Sequence, residues 1–530
     1  SADGVVAFLL PAMGFLHNHA DTSVEARNRL IEKARIRRVI NFADLRFQLF
    51  DGAIRPATLI IFGNAAPGQA LYRFEYWAPK ADLNLKVKRL ITLSSADKSF
   101  ITSKAALSDP LIFKRRLWMS EPNAKLFAYL SRLPTLGDLI TDFGSQSRRA
   151  TDAADGWMIG QGYQPYNASS GSSYHMSDYV SKQPDLPIAQ FQPLAQGVAG
   201  LTPWHSSRVR RKGFERGFEK GPRVLVPRGV SVVSKRLRAS YVEQPLTFQH
   251  IIQAIVVPQG CERRAKILAA LLNSKVAIWF AFHGTASLGS DRPEVQQAEL
   301  MRLPFPEPSD LPEPERARKA AKALVGIVDS ALNAAQGEFA LQGGGSEVFA
   351  KVDACAYEYF CLSPDEVTLI EDEVEFILPA VQPHQGSLPA IWKTSSATER
   401  TAYADALVHA LTGWLREERA IDVSLEAHNA DLAVVRLSLR KKKAITAYRE
   451  VDNSAVRDVL AKLFESIHQP LPGNFQVMPD FRIFEGDDLY IVKPMQKRFW
   501  LRSSALADAH AIALDIQDHM GSPKKQGGAQ

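Results

Sequence analysis

The chain has 530 residues, of which 46 % are hydrophobic and 23 % are charged. This composition is typical of folded globular protein, and the length predicts several domains because one core rarely grows beyond about 250–300 residues. Lys and Arg exceed Asp and Glu by 64 to 57, which gives a formal net charge of +7 and only a mild indication of a polyanionic partner. The three cysteines (Cys261, Cys355 and Cys361) form no Cys-x-x-Cys pair. They exclude a disulfide framework and favour a reducing cytoplasm.

The first 65 residues are expected to form a strand, a helix and two more strands. Residues 5–10 are continuously apolar, which is typical of a buried parallel strand. A helix is expected over residues 21–34, followed by strands at 36–42 and 58–62. The pattern predicts the end of a doubly wound α/β sheet. Because a buried strand needs neighbours, we expect a fragment or one piece of a split protein. The run from residue 5 to 16 is broken by Pro11 and is too short to span a membrane.

The middle of the chain has a different sequence pattern and contains a strongly basic run. Residues 71–310 alternate short apolar runs with polar loops, which predicts a mixed α+β domain. Residues 208–238 contain eleven Lys or Arg residues against two Glu residues. Helices are expected over 311–380, with Ser363-Pro364-Asp365-Glu366 as a helix start.

The last part is expected to be a separate small domain. Over residues 390–520 the pattern predicts helix, two strands, helix, two strands and helix, which suits a small α+β fold. Residues 521–530 are expected to be a disordered tail.

Several segments in the first third resemble adenine-N6 DNA methyltransferases. They are residues 2–11 (ADGVVAFLLP), 26–31 (ARNRLI), 39–42 (VINF) and 49–62 (LFDGAIRPATLIIF). The resemblance implies that residues 1–70 are the C-terminal part of a catalytic domain. It also implies that Phe50 stacks on the target adenine, which must leave the duplex before it can react.

The resemblance continues through residue 375. Residues 111–118, 133–138, 160–163, 270–275 (ALLNSK) and 303–306 (LPFP) resemble target-recognition domains, so residues 71–310 are expected to read the DNA site. Residues 356–366 (AYEYFCLSPDE) resemble a helix of fused restriction–modification enzymes. The resemblance therefore implies sequence-specific adenine methylation in a restriction–modification or phage-defence system, near the nucleoid. The segment after residue 390 resembles no family.

Two parts of the family pattern are missing from this sequence. It has neither the glycine-rich loop for S-adenosylmethionine nor the (Asn/Asp)-Pro-Pro-(Tyr/Phe) motif; residues 164–167 (QPYN) are a superficial echo. The family implies S-adenosylmethionine as cofactor, but we expect the chain alone to be inactive. Its expected partners are double-stranded DNA and a missing N-terminal catalytic segment or subunit. The alternatives are a non-enzymatic DNA-specificity subunit serving a separate catalytic half, or a dead remnant.

The candidate DNA contacts are basic side chains, since Lys and Arg neutralise phosphates and Arg can reach guanine edges. Interleaved aromatic residues (Trp204, Phe214, Phe218, Tyr241) and scarce acids favour DNA over a solvated face. The main cluster comprises Arg208, Arg210, Arg211, Lys212, Arg216, Lys235, Arg236 and Arg238, with Lys220, Arg223 and Arg228 in the same run. A second, weaker patch comprises Lys114, Arg115 and Arg116.

Other chemistries find little support. His205, His250 and His283 lack metal-ligand spacing, so no metal site is expected. Asp480, Asp487, Asp488 and Lys493 only loosely resemble a nuclease cluster, because the acid-x-Lys tripeptide is missing. No His-Glu-x-x-His motif, Walker loop, Gly-x-Ser-x-Gly motif or dinucleotide fingerprint occurs.

Overall fold

The computed structural model describes most of the chain and divides it into two compact units. Unit 1 comprises Ser1–Lys125 and Glu375–Gln530, and unit 2 comprises Leu126–Val374. The described residues are 4–16, 21–49, 52, 55–63, 71–143, 156–170, 173–231, 235–336, 345–414, 419–441, 448–451, 455–466 and 481–521. Phe50 and the predicted tail from residue 522 onward lie outside them.

Unit 1 begins with a five-stranded sheet. Its strands are β1 (Val5–Pro11), β2 (Arg35–Asn41), β3 (Ala57–Gly63), β4 (Arg73–Trp77) and β5 (Lys98–Thr102). The associated helices are α1 (Ala12–Phe15), α2 (Asp21–Lys33), α3 (Arg46–Leu49), α4 (Ser103–Ser108) and α5 (Ile112–Trp118), followed by α6 (Glu121–Leu130). The predicted order of strand, helix, strand, strand is confirmed by β1, α2, β2 and β3. The predicted boundary at residue 70 lies between two strands of this one sheet.

The strand order is β1-β3-β2-β4-β5, and the sheet is mixed. β3 runs antiparallel to both β1 and β2, β4 runs parallel to β2, and β5 runs antiparallel to β4. The prediction of a buried parallel strand at residues 5–10 is therefore wrong. β1 pairs with β3 alone among the described strands, and its Val5, Phe8 and Leu9 are 53 %, 49 % and 55 % exposed. An apolar run has the same appearance in a buried strand and in an edge strand.

One face of this sheet packs on the helices and forms the core. Along β4, Phe74 and Tyr76 point into that core, whereas the alternate residues point to the other face. Arg27 of α2 is buried, and its guanidinium donates hydrogen bonds to the Pro110 carbonyl at 2.9 Å and the Ala106 carbonyl at 3.1 Å. These bonds hold α2 against α4 and the start of α5.

Unit 2 contains only part of the predicted recognition region, because residues 71–125 of that region belong to unit 1. The strands are β6 (Ile140–Phe143), β7 (Trp157–Gln161), β8 (Gln164–Pro165), β9 (His175–Met176), β10 (Asp185–Leu186), β11 (Leu194–Ala195), β12 (Arg208–Arg211), β13 (Arg223–Pro227), β14 (Ser240–Val242), β15 (Thr247–Phe248) and β16 (Ile252–Val256). They form a six-stranded sheet β11-β14-β13-β16-β7-β6, a three-stranded sheet β8-β12-β9 and the pair β10-β15.

The helices of unit 2 follow and partly flank these strands. They are α7 (Asp178–Lys182), α8 (Glu262–Leu272), α9 (Lys275–Gly284), α10 (Gln297–Leu300), α11 (Pro314–Gln336), α12 (Ser346–Tyr359) and α13 (Pro364–Asp372). The predicted start of α13 is confirmed, because the Ser363 hydroxyl accepts a hydrogen bond from the Glu366 backbone N–H at 3.3 Å. α11 packs against both α8 and α12, so the helices after residue 310 belong to the same unit as the sheets.

The ALLNSK segment has a structural role. Asn273 is buried between α8 and α9, where its side-chain amide donates hydrogen bonds to the carbonyls of Ala239 and Ala269, both at 2.7 Å. Ser274 is the N-cap of α9 and accepts a hydrogen bond from the Ala277 backbone N–H. The segment therefore joins the two helices to the strand region.

The C-terminal part of unit 1 has its own sheet and core. Its elements are α14 (Ala397–Thr412), β17 (Arg419–His428), β18 (Leu432–Lys441), β19 (Arg449–Glu450), α15 (Val456–Ser466), β20 (Phe481–Glu485), β21 (Asp488–Pro494) and α16 (Arg502–Gly521). The strand order is β19-β17-β18-β21-β20. The predicted alternation of helices and strand pairs is confirmed, with the short β19 as an addition.

Candidate nucleic-acid interface

The sheet β8-β12-β9 displays the first half of the basic run. Val209 is buried, whereas Arg208, Arg210 and Arg211 on the same strand are exposed. Strict alternation would turn Arg211 inward with Val209. A β-bulge against β8 prevents this, because Val209 is paired with Pro165 and Arg211 with Gln164, which leaves Arg210 as the extra residue. Exposed cations continue beyond the strand at Lys212, Arg216 and Lys220.

The glycine turn expected at residues 160–163 brings this strand close to the core of unit 2. A Cβ atom on Gly162 would lie 2.1 Å from the Phe248 carbonyl oxygen, and one on Gly213 would lie 2.6 Å from Gly162. Gly213 also has a φ of +81°, which favours glycine. The Phe214 backbone N–H donates a hydrogen bond to the Gln161 carbonyl at 2.8 Å. Larger residues would push β12 away from the core.

Aromatic and apolar side chains extend the surface beyond the cations. Tyr174 is 45 % exposed and Met176 is 54 % exposed. The Arg208 guanidinium lies 4.9 Å from the Tyr174 ring centroid, and Tyr166 lies beside Tyr174 with 5.3 Å between centroids. The sequence-based selection did not include these residues. Pairing of β9 with β12 joins residues far apart in the chain, so no local pattern identifies Tyr174 as a neighbour of Arg208.

The cations also affect a nearby histidine. Partial burial lowers the pKa of His250, and the positive charges of Arg211 and Arg228 lower it further. The exposed cations at Arg208, Arg210, Arg211 and Lys212 are the part of the run that is suited to a polyanion.

The second half of the basic run is engaged inside unit 2. Arg223 is buried and donates hydrogen bonds to the carbonyls of Gly221 and Gln244. Burial lowers the pKa of Arg223 to about 10. Arg228 forms an ion pair with Glu294 at 3.3 Å and donates a hydrogen bond to the Gln296 side chain at 2.8 Å.

Arg236, which the sequence predicts as a DNA contact, is a buried structural residue instead. Its guanidinium donates hydrogen bonds to both carboxylate oxygens of Asp353, at 2.7 and 2.6 Å, and to the Asn273 carbonyl at 2.6 Å. Asp353 also accepts a hydrogen bond from the Lys275 backbone N–H at 2.8 Å. The ion pair therefore joins the loop before β14 to α9 and α12, and Arg236 is not available to DNA.

Lys235 and Arg238 lie on either side of Arg236 in the sequence, and both are half-buried. Both have left-handed backbone conformations, with φ of 51° and 60°. Burial lowers the pKa of Arg238, whose guanidinium lies 5.8 Å from the Phe191 ring centroid. These two predicted contacts are thus less accessible than the cations of β12.

The weaker patch at residues 114–116 is not a free basic surface. Lys114 is only 2 % exposed. Arg115 forms an ion pair with Asp109, and Arg116 forms one with Glu121. Lys114 is therefore not accessible at the surface, whereas Arg115 and Arg116 are paired with carboxylates, and their contact with DNA stays a prediction.

The interleaved aromatic residues are mostly buried, and His283 is a buried polar residue as the sequence predicts. Phe214, Phe218 and Tyr241 are buried in the core of unit 2, while Trp204 is half-buried. His283 is buried, and its Nε2 lies 2.8 Å from a Glu373 carboxylate oxygen. In the described part of the chain, no group of three or more His, Cys, Asp or Glu side chains is arranged to hold a metal ion.

The loose acidic cluster near the C-terminus does not assemble. Asp488 forms an ion pair with Arg436 at 2.6 Å. Lys493 is buried at the other end of β21, where it pairs with Asp508 and donates a hydrogen bond to the Tyr403 hydroxyl at 3.1 Å. Asp480 lies outside the described residues.

Among the described helices, none alone is long and apolar enough to cross a membrane. α8 and α9 pass such a test together by length and composition only, and the chain bends by 70° between them.

Comparison with known proteins gives distant structural similarity. No family model and no curated protein matches the chain. A structure of the Type IIL restriction–modification enzyme MmeI in complex with DNA is similar over 68 % of this chain and 47 % of that chain, with 10 % identity and a TM-score of 0.35. The structure of the Type IIG restriction endonuclease BpuSI is similar over 69 % and 47 %, with 10 % identity and a TM-score of 0.25. This chain spans about half the length of those proteins. At such TM-scores the similarity supports no conclusion about fold or function.

Proposed function

We propose that this chain is the target-recognition and base-flipping portion of a site-specific adenine-N6 DNA methyltransferase, acting in a restriction–modification or phage-defence system. The observation that carries the proposal is the exposed cationic strand β12. Four consecutive or near-consecutive cations at Arg208, Arg210, Arg211 and Lys212 are exposed. Neutralising several phosphates at once is the main source of affinity for DNA. The resemblance of residues 1–375 to adenine-N6 DNA methyltransferases supports DNA as the polyanion that this surface binds.

The methyl-transfer step is not assigned to residues of this chain. S-adenosylmethionine is the donor that the resemblance implies, but the sequence has neither the glycine-rich loop nor the Pro-Pro motif that would hold it. The segment at residues 164–167 does not replace that motif, because Gln164 and Pro165 form β8 and pair with β12. The residues present therefore do not fit the donor. The resemblance alone supports a stacking role for Phe50 against the flipped adenine.

We also propose that a catalytic segment or subunit packs beside β1. Val5, Phe8 and Leu9 are about half exposed on β1, which is an edge strand among the described strands. A free apolar edge strand can pair with another chain and is a liability when it stays unpaired. A strand of the catalytic half would cover both the backbone groups and these side chains.

The test measures duplex binding as a function of salt. The variant with Arg208, Arg210, Arg211 and Lys212 all replaced by Ala should bind a fluorescein-labelled 30-base-pair duplex more weakly than the wild type. The slope of log affinity against log salt should fall by about 0.9 for each phosphate contact that is lost.

The matched control removes four exposed cations from the helices of unit 2. Its substitutions are Arg318→Ala, Lys319→Ala, Lys322→Ala and Lys351→Ala. The control has the same net charge as the β12 variant, so it should keep the wild-type slope. Equal slopes for wild type and β12 variant would make β12 a solvated face and remove the basis of the proposal.

A non-enzymatic DNA-specificity subunit has the same DNA surface. If the chain is part of the methyltransferase, Phe50 takes part in the reaction once the catalytic half is supplied. If the chain is a specificity subunit, Phe50 has no role in that reaction. The exposed cations favour DNA recognition in both cases.

A further inference from the structure

The first sheet of unit 1 has a second face, which we call the open face. It is defined by Arg38, Arg73, Glu75, Trp77, Lys98 and Phe100. Along β4 the residues between these, Phe74 and Tyr76, are only 2 % and 0 % exposed and belong to the core. Strand pairing places Arg38 beside Glu75, Glu75 beside Phe100, and Trp77 beside Lys98. Paired residues point to the same side of a sheet.

Cations and aromatic rings alternate across the open face. The Arg38 guanidinium lies 3.7 Å from the Trp77 ring centroid, and the Lys98 ammonium lies 5.1 Å from it. On the next row, the Arg73 guanidinium lies 4.7 Å from the Phe100 ring centroid. Phe100 is nevertheless 57 % exposed, so much of its surface is accessible to a ligand.

The charge on this face is unbalanced. Among the six residues that define this face, Glu75 is the one carboxylate, and it forms an ion pair with Arg38 at 2.5 Å, which leaves Arg73 and Lys98 as a surplus. Cations stacked on aromatic rings can simply keep an exposed sheet soluble. That explanation does not require a half-exposed phenylalanine or an excess of positive charge. Both features are expected of a surface that binds an anion with flat rings.

We propose that the open face binds single-stranded nucleic acid, with a base stacked on Phe100 and phosphates near Arg73 and Lys98. Stacking on an aromatic side chain requires a base whose flat face is free, so this surface suits a single strand and not a duplex. The site lies in unit 1, whereas β12 lies in unit 2. The inference therefore does not depend on the proposed role of β12.

The test measures binding of a fluorescein-labelled 20-nucleotide oligothymidylate to the full chain by anisotropy. Phe100→Ala should weaken binding by about 5- to 150-fold, the loss expected when one stacked base is released. Phe100→Tyr should stay within about twofold of wild type because the ring is retained. Arg73→Ala should lower the salt slope by about 0.7, the value for a phosphate contact of a single strand.

Two controls match these changes outside the open face. Trp414, which is 61 % exposed, is replaced by Ala to test the loss of an exposed aromatic residue. Arg29, whose side chain is 73 % exposed, is replaced by Ala to test the loss of an exposed cation. Both variants should bind the oligonucleotide as the wild type does.

Three results would overturn the inference. The first is unchanged oligothymidylate binding by Phe100→Ala. The second is loss of binding in the β12 variant but not in Phe100→Ala, which would place single strands at β12 and leave the proposed function intact. The third is loss of self-association in Phe100→Ala during sedimentation with no change in oligonucleotide binding, which would make a second copy of the chain the occupant.

Discussion

Residues 208–220 and residues 223–238 are two halves of one basic run, and their surroundings are opposite. In the first half, Arg208 and Arg210 extend into solvent from a small sheet. In the second half, Arg223 and Arg236 are buried and donate hydrogen bonds to carbonyl or carboxylate oxygens. The composition of the two halves is alike, so charge density does not decide which cations are available to a ligand. Arg223 and Arg236 are instead held inside the unit by internal oxygen acceptors.

The largest expected effect comes from breaking the buried pair of the second half. Arg236→Ala should lower the free energy of unfolding of the chain by about 3–5 kcal/mol, because it leaves the Asp353 carboxylate buried without its cation. Urea titration measures this loss. Arg210→Ala, at an exposed position in the first half, should stay within about 0.5 kcal/mol of wild type. Comparable losses in the two variants would remove the distinction between the halves.

A buried carboxylate of unit 2, Asp185, is expected to make the stability of the folded chain depend on pH, whereas the exposed cations of β12 are not. Burial raises the pKa of Asp185, and the hydrogen bond from the Thr247 hydroxyl offsets part of the rise. The folded state therefore holds this proton more tightly than the unfolded chain. The resulting stability is fully present below the ordinary pKa of about 3.9 and is lost as the pH rises through the raised value.

Asp185→Asn is neutral at every pH and should lack this loss. The Asn side-chain oxygen can still accept the hydrogen bond that Thr247 donates to Asp185 at 3.0 Å. The variant should gain stability relative to wild type between pH 4 and pH 8, as measured by urea unfolding at steps of one pH unit. Parallel curves for the two proteins would show that Asp185 does not titrate in this range.

The smallest effect is expected at residues 115 and 116, which are cationic but neutralised. Arg115→Ala with Arg116→Ala should cost less than about 1 kcal/mol per ion pair, since both pairs are partly exposed. The salt slope of duplex binding should equal that of wild type. A slope reduced by about 0.9 per residue would instead identify them as phosphate contacts.

Local structure was largely predictable from the sequence. The capping residues Ser363 and Glu366 mark the start of α13, and apolar periodicity locates the helices and strands of residues 397–521. The direction and pairing of β1 could not be predicted in this way, because its partner β3 is about fifty residues away. An apolar run does not encode whether a strand lies inside a sheet or at its edge.

The candidate site was predictable only in part. The cations of β12 follow from composition, and the glycine turn beside them follows from Gly160 and Gly162. The loss of Arg236 from the site depends on Asp353, which lies 117 residues away. The sequence around Arg236 does not indicate an acceptor that lies so far away in the chain. Tyr174 could not be predicted as a neighbour of Arg208 for the same reason, because the two residues are also distant in sequence.

The bulge at Arg210 makes the presented surface depend on chain length as well as on residue type. Deleting Arg210 would remove the bulge and restore strict alternation, so that Arg211 would keep its outward position after Val209 and Lys212 would be directed inward. A one-residue insertion or deletion in this strand would thus change which cations face the solvent. Variation in the length of β12 can therefore alter the exposed surface by shifting register, without any new side chain appearing.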